Sequence, residues 1–252
     1  MSDLSNPDGS PIKAFDVQVT DDGHGNSLLT FPGGETVLLE GITPAQVMAP
    51  GMMAKMGIPC FGAGTMILTP DGEQAVEDIA TGDLVMTAAG RAVPVLWHGM
   101  RHLDAQALND QPELRPIRIR AGTIGNQRDL ILSPPHGVVQ SGRLIRARHL
   151  AEHGAGAQVA RRIRAVTYHH LLLPRHDLLL AEGAQVESLY PGRMTLASLG
   201  TGQRLSLARC ILGHLPDRLA PDTLATAYGP RCLPLLTGRE AAHWFGHSLV
   251  PR

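Results

Sequence analysis

At 252 residues the chain is long enough for one sizeable core with flanking pieces. A hydrophobic share of 43 %, a charged share of 18 % and a formal net charge of -1 describe an ordinary soluble globular protein. Lys is nearly absent and the Arg residues are scattered, so there is no basic stripe for nucleic acid, and no apolar run approaches a membrane span.

The first residues, Met1-Ser2-Asp3-Leu4-Ser5-Asn6-Pro7, hold neither a basic n-region nor an apolar h-region. No Sec-type signal is expected, which leaves the cytoplasm or export by a signal-independent route. Residues 1–59 read as a β-rich leader and linker. Phe15-Asp16-Val17-Gln18-Val19-Thr20 alternates at period two, and Asp21-Asp22-Gly23-His24-Gly25-Asn26 is a turn signal. Leu28-Leu29-Thr30-Phe31 and Thr36-Val37-Leu38-Leu39 then form a hairpin pattern around Pro32-Gly33-Gly34. Val47 to Pro59 is rich in Met, Gly and Ala and reads as a linker or short helix.

Residues 60–192 carry many short apolar runs between Gly, Pro and Asp. Gly64 to Gly72 reads as a strand and tight turn, with Val76-Glu77-Asp78-Ile79 and Gly82-Asp83-Leu84-Val85 as a second strand-like run. Val93 to Trp97, Ile117 to Arg120, Leu130 to Leu132 and Leu171 to Leu173 fit further strands of a compact all-β domain. Residues 193–252 change character. Leu219 to Ala227 and Gly238 to Phe245 read as short helices, with Asp222 and Thr237 as candidate N-caps.

Cys60, Cys210 and Cys232 are too few and too dispersed for a disulfide framework, and none has CxxC spacing. No metal site and no cofactor is expected, and Cys60 is the candidate working thiol. A Cys is placed by construction next to the carbonyl of the preceding residue, here Pro59. Thiolate character from a nearby positive group or base would let it attack that carbonyl. The departing amide nitrogen then needs a proton from an acid such as His. Ser133 and His136 follow the run Leu130-Ile131-Leu132, and Pro134-Pro135 stiffen the turn between them. They form a candidate hydroxyl helper and acid.

This combination resembles the Hint superfamily, the autoprocessing module of hedgehog C-terminal domains, inteins and bacterial intein-like domains. It is most similar to bacterial Hint-domain proteins. The first block is matched by Cys60 to Gly72, Val76 to Ile79 and Gly82 to Val85. The middle block is matched by Leu130 to His136, with Ser133 where the family usually has Thr. The last is matched by Tyr168-His169-His170-Leu171 and by His176 to Gly183. The resemblance implies an all-β horseshoe of short curved strands, following an N-terminal hairpin leader and preceding a short helical tail. It assigns Cys60 as nucleophile of an N-to-S acyl shift, His136 as acid and Ser133 as its helper. His169 falls where inteins often carry an Asp, which gives it the role of tuning Cys60 or assisting the proton transfer; its neighbour His170 is equally a candidate for the inward position, because strand residues alternate faces.

Splicing inteins end in His-Asn before a Cys, Ser or Thr; here the equivalent positions are Glu187-Ser188-Leu189. The expectation is therefore cleavage or transfer at Pro59–Cys60 without splicing. The substrate would be the chain's own leader, and the acceptor water, a thiol or another nucleophile. A proline acyl group is hindered, which predicts slow or conditional cleavage. The competing expectation is an inactive Hint fold serving as an interaction or secretion-associated module. The turn at Asp21 to Asn26 also looks like the terminal strands of secreted calcium-repeat proteins. The nonapeptide repeat itself is missing, so no calcium site is expected.

Overall fold

The structure is a computed structural model that describes residues 17–30, 32, 34, 36–45, 58–220 and 222–248. It divides into two compact units that do not follow chain order. One is Met1–Ala54 with Pro191–Tyr228; the other is Lys55–Tyr190 with Gly229–Arg252.

In the first unit, β1 (Gln18–Asp21), β2 (Ser27–Thr30) and β3 (Thr36–Leu39) form an antiparallel meander. The turn between β1 and β2 is fixed by the Asp22 carboxylate, which accepts from the backbone N–H of His24 and Asn26 and from the Asn26 amide. Leu29, Val37 and Leu39 are buried, as the hairpin pattern requires. Phe15 and Asp16, and the segment expected as a linker up to Gly57, lie outside the described residues. The sheet is completed from far along the chain: β18 (Arg218–Leu219) lies parallel to β3, with Arg218 opposite Leu38 and Leu219 opposite Leu39. Among the described residues, this unit also contains the helices α3 (Arg193–Ser198), α4 (Thr201–Leu212) and α5 (Thr223–Tyr228).

The stretch expected as a single C-terminal extension thus divides between the units. Leu219 lies in a strand rather than a helix, and α5 starts at Thr223. The Asp222 carboxylate is engaged by Arg193 at 2.7 and 2.5 Å. Only its backbone carbonyl serves the helix, accepting from Thr226 N–H at 2.9 Å.

The second unit is all-β around one core. One six-stranded sheet has the order β14-β10-β11-β4-β15-β9, the other β13-β12-β17-β16-β5-β6. The first comprises β4 (Phe61–Gly62), β9 (Trp97–Leu103), β10 (Ile117–Ile119), β11 (Leu130–Leu132), β14 (Ala157–Val159) and β15 (Val166–Leu172). The second comprises β5 (Met66–Thr69), β6 (Gly72–Ala75), β12 (Gly137–Gln140), β13 (Arg143–Arg146), β16 (Leu178–Ala181) and β17 (Ala184–Glu187). A two-stranded ribbon, β7 (Leu84–Met86) and β8 (Ala92–Pro94), stands beside them. The chain passes from the first sheet to the second three times, from β4 to β5, β11 to β12 and β15 to β16, and returns twice, from β6 to β9 by way of the ribbon and from β13 to β14. Phe61, Ile119 and Leu132 from the first sheet meet Ile67, Val138 and Leu179 from the second in a single apolar core.

Local chemistry sets the turns. The β16–β17 hairpin turns on Glu182-Gly183 and the β12–β13 hairpin on Ser141-Gly142; all four residues have positive φ, as a tight type I′ connection requires. Val76–Asp78, expected as part of a strand, is instead a 3-10 turn. Glu77 from that turn accepts the Gly64 N–H with both carboxylate oxygens, at 3.0 and 2.7 Å. The short helices α1 (Ala105–Asp110) and α2 (Ala147–Glu152) connect strands, and α6 (Gly238–Ser248) follows β17 after the excursion through the first unit. Helix α6 opens on a capping box: the Thr237 hydroxyl accepts from Glu240 N–H at 3.3 Å, and Glu240 accepts from Thr237 N–H at 2.8 Å.

Gly62 shows how tightly β4 is held. A Cβ there would stand 2.7 Å from Cγ2 of Ile131 on the neighbouring strand. We expect Gly62→Ala to destabilise the second unit by about 1–3 kcal/mol through overpacking, seen as a lowered midpoint in thermal denaturation. An unchanged midpoint would mean that β11 can yield at no cost.

Candidate functional site

Register builds the site. Strand β4 lies between β11 and β15, with Phe61 opposite Leu132 on one side and His169 on the other. One residue earlier along the same antiparallel register, Cys60 faces Ser133 and His170. The Ser133 N–H donates to the Cys60 carbonyl at 3.0 Å. The Cys60 N–H, the nitrogen of the Pro59–Cys60 peptide bond, donates to the Ser133 hydroxyl at 2.9 Å. That hydroxyl gives its own proton to the Ile58 carbonyl at 2.6 Å. The Cys60 thiol donates to the same Ile58 carbonyl at 2.8 Å.

The imidazole of His170 touches both halves of this peptide bond's surroundings. Its Nδ1 is 3.1 Å from the Pro59 carbonyl oxygen and its Nε2 is 3.7 Å from Cys60 Sγ. A carbonyl only accepts, so Nδ1 carries the proton, and in the neutral ring Nε2 keeps a free lone pair toward the thiol. Burial pushes the pKa of His170 down to about 4, against the Pro59 bond that favours its charged form. The ring is therefore neutral at ordinary pH. Burial also pushes the Cys60 thiol well above the usual range, while the Ser133 bond and the Arg101 charge pull the other way. The resting thiol is protonated, and a base rather than a preformed thiolate must start any attack.

The other expected residues lie close but differently. His169 points to the opposite face of β15, where its Nδ1 bonds His98 Nε2 at 2.9 Å; His98 Nδ1 in turn reaches the Ile79 carbonyl at 2.7 Å. His170, not His169, is the ring against Cys60. Alternation along β15 puts Tyr168 and His170 on one face and His169 on the other.

His136 is fully buried, its ring edge against Phe61 with centroids 4.6 Å apart. Its Nε2 donates to the Glu187 carbonyl at 3.0 Å, and its Nδ1 has no hydrogen-bond partner. Burial lowers its proton affinity; the Glu187 carboxylate and the nearby Cys60 backbone act to raise it. It sits beside the Cys60 backbone, with one ring nitrogen free.

Two groups escaped the sequence reading. Arg101 on β9 stands opposite Tyr168, on the face shared by His170, and its charge reaches the Cys60 thiol. Behind His136 lies a buried carboxylate, Glu187. One oxygen accepts from Gly137 N–H at 2.7 Å; the other accepts from Arg231 at 2.7 Å and from His176 Nε2 at 3.2 Å. His176 is oriented by the Cys232 N–H, which donates to its Nδ1 at 3.0 Å. The Arg231 guanidinium also stacks 4.1 Å over the Tyr190 ring. Burial alone would raise the pKa of Glu187; the His176 bond and the Arg231 charge outweigh it, and the net direction is down.

Among the described residues no group of three His, Cys, Asp or Glu is placed to hold a metal ion. No described helix is long and apolar enough to cross a membrane.

The all-β unit, with a Cys heading a central strand beside a Ser, two buried His and an Arg, has the layout of a Hint domain. The Hint-domain family model matches residues 59–193, more than half of the chain, and the protein belongs to that family. Its fold is similar to that of the bacterial intein-like domain from Clostridium thermocellum in solution, at 18 % identity, 53 % of this chain and 99 % of that chain covered, and a TM-score of 0.39. The crystal structure of the MchDnaB-1 intein matches at 15 % identity over 51 % of this chain and 98 % of its own, TM-score 0.38. That of the gp41-1 intein matches at 12 % over 52 % and 98 %, TM-score 0.38. No curated protein matches the chain.

Proposed function

We propose that this Hint domain cleaves its own Pro59–Cys60 bond through an N-to-S acyl shift, without splicing. One observation carries the reading: the same peptide bond is held at both ends, its carbonyl by His170 at 3.1 Å and its N–H by Ser133 at 2.9 Å, with the thiol of the next side chain 3.7 Å from the same imidazole. The Nδ1–H of His170 stabilises the negative charge that develops on the Pro59 oxygen. Its Nε2 takes the thiol proton once Sγ–H turns from the Ile58 carbonyl. Arg101 steadies the sulfur while it carries charge.

Sγ then bonds to the Pro59 carbonyl carbon, the C–N bond breaks, and the proton ends on the Cys60 amine. His136, whose unprotonated Nδ1 lies free beside the Cys60 backbone, is the relay: it accepts the thiol proton from His170 and then delivers it, as the acid, to that nitrogen. No side-chain amide follows at Glu187-Ser188-Leu189 to cyclise, which favours cleavage over splicing.

The second reading is a folded domain that is never cut. The buried, protonated thiol favours it as a resting state. Intact mass under denaturing conditions, with Cys60→Ala as control, decides between them. Fragments ending at Pro59 and starting at Cys60, absent from the control, are the expected result. A full-length mass under every condition of pH and time would sink the proposal.

A further inference from the structure

We infer that Glu187 and Arg231 are positioning residues for His136, so that the self-cleaving site draws on a segment far from the strands that carry Cys60 and Ser133. The effect on rate rests on the self-cleavage reading. His136 and Glu187 hold each other between the neighbouring strands β12 and β17, where Val138 stands opposite Val186. The His136 ring donates from Nε2 to the Glu187 carbonyl at 3.0 Å, and the Glu187 carboxylate accepts the N–H of Gly137, the next residue, at 2.7 Å. A Cβ on Gly137 would stand 2.7 Å from that same carboxylate oxygen. The carboxylate therefore lies directly against the backbone that carries the relay imidazole. The ring bond also fixes the tautomer. A carbonyl only accepts, so Nε2 keeps its proton and Nδ1 is the nitrogen left for the relayed one.

What keeps Glu187 ionised comes from elsewhere in the chain. A buried carboxylate persists in that form only when it is paired and hydrogen-bonded. Its second oxygen accepts from Arg231 at 2.7 Å and from His176 Nε2 at 3.2 Å. The Cys232 N–H donates to His176 Nδ1, so that ring is neutral and turns its Nε2–H to the carboxylate. Arg231 and Cys232 lie outside the Hint module of residues 59–193, on the segment that returns after the helices of the first unit. Backbone bonds hold this segment to β13: Leu144 N–H donates to the Pro234 carbonyl and Leu236 N–H to the Leu144 carbonyl, both at 2.9 Å. Arg146, a second cation within reach of Glu187, is committed to the Leu236 carbonyl at 3.2 Å.

This chain of contacts bears on the proton transfer. When Nδ1 of His136 takes the thiol proton from His170, one imidazole loses its charge and the other becomes a buried imidazolium. Burial opposes the charged form of His136, and His176 opposes it slightly; the Glu187 charge and the Cys60 and Glu187 backbone favour it. Without Arg231 the buried cluster takes up a proton of its own, on Glu187 or on His176. Either way the negative charge beside His136 is cancelled, and the relay becomes a poorer acceptor. Arg231 thus acts through Glu187 and Glu187 through His136, and neither touches the reacting bond.

The test reads the titration of His136 from its ring NMR signal in the full chain carrying Cys60→Ala, which cannot form a thioester. His136→Gln identifies the signal by removing it. Glu187→Gln and Arg231→Gln are each expected to move the titration midpoint to lower pH. The double variant moves it no further than the larger single one, because the two act in series. Arg231→Lys, which keeps the cation, restores the midpoint. In chains that retain Cys60, Glu187→Gln and Arg231→Gln are expected to slow cleavage by about 10-fold, part of the about 10²–10⁴-fold that a positioned acid–base group contributes. A purely structural role would lower the melting temperature and leave the midpoint in place. A midpoint unmoved in both folded variants therefore overturns the inference. If Glu187→Gln fails to fold, Arg231→Gln, made at a partly exposed side chain, still decides. A parent chain that is never cut would sink the self-cleavage reading alone, since the link from Arg231 to His136 is read in a chain that does not cleave.

Discussion

Replacing His170 with Gln is expected to slow cleavage at Pro59–Cys60 by about 10²–10⁴-fold, the usual contribution of a positioned acid–base group. The substitution separates the two roles of the ring. A Gln amide can still donate to the Pro59 carbonyl, now served by His170 at 3.1 Å, but it has no basic nitrogen for the thiol at 3.7 Å. A variant cleaving at the original rate would remove His170 as the base. Fragment yield by denaturing mass spectrometry gives the rate, and a melting curve confirms the fold. The pH profile supplies a second readout. A base whose pKa is lowered to about 4 stays competent through mild acid, so the limb of the profile that belongs to His170 falls only as pH drops through about 4. An ordinary His would lose activity near ~6.5. Stability has the same sign over that window. The unfolded chain binds a proton at this His below ~6.5 and the folded one only below about 4, so the His170 contribution declines as pH falls between them.

The second large effect is structural. Glu187→Ala is expected to cost about 3–5 kcal/mol, because it leaves buried His176, the Gly137 N–H and the Arg231 guanidinium without their shared acceptor. The lower end applies, since the Arg231 side chain is 29 % exposed and water can replace part of what it loses. In a domain of this size that is a fall in melting temperature of roughly 10 °C. Glu187→Gln, which keeps an oxygen for Gly137 and removes the charge, should fall between. The folded pKa of Glu187 is depressed, so its stabilisation is present above the unfolded value and is lost as pH drops through the folded one. A melting temperature within a degree of the unaltered protein would mean that the cluster contributes no net stability.

The strands around the site were legible because short apolar runs between turn residues carry their own signal. Leu130 to Leu132 and Ile117 to Ile119 lie in strands as their β-branched and aliphatic runs require. Cys60, Ser133 and His136 announced themselves through local sequence, a Cys before a Gly-rich strand and a Ser and His flanking two prolines. The choice between His169 and His170 was not legible. Period two says that neighbours oppose each other, but only the register of β15 against β4 sets which one meets the thiol. Arg101 was invisible for a related reason, since its place depends on β9 pairing with β15 across more than sixty residues of chain. The Glu187 cluster joins residues 44 apart, and nothing near Arg231 in the sequence marks it as a partner. Val76–Asp78 misled because three residues with one branched apolar side chain fit a strand and a 3-10 turn equally well.

The parallel seam between β3 and β18 bears on what a cut at Pro59 accomplishes. Leu38 and Leu39 lie on the leader side of the bond, Arg218 and Leu219 on the other, and the Leu38 N–H donates across the seam to the Asp217 carbonyl at 2.9 Å. Cleavage there, as proposed, would therefore nick the polypeptide without dismantling the sheet that spans the nick. The outcome of the proposed cleavage would be a two-chain protein in which one strand-bearing piece ends at Pro59. The other piece would begin with an N-terminal cysteine, a 1,2-aminothiol able to capture thioesters and aldehydes. Backbone scission would then act less as a release than as the unmasking of a reactive chain end.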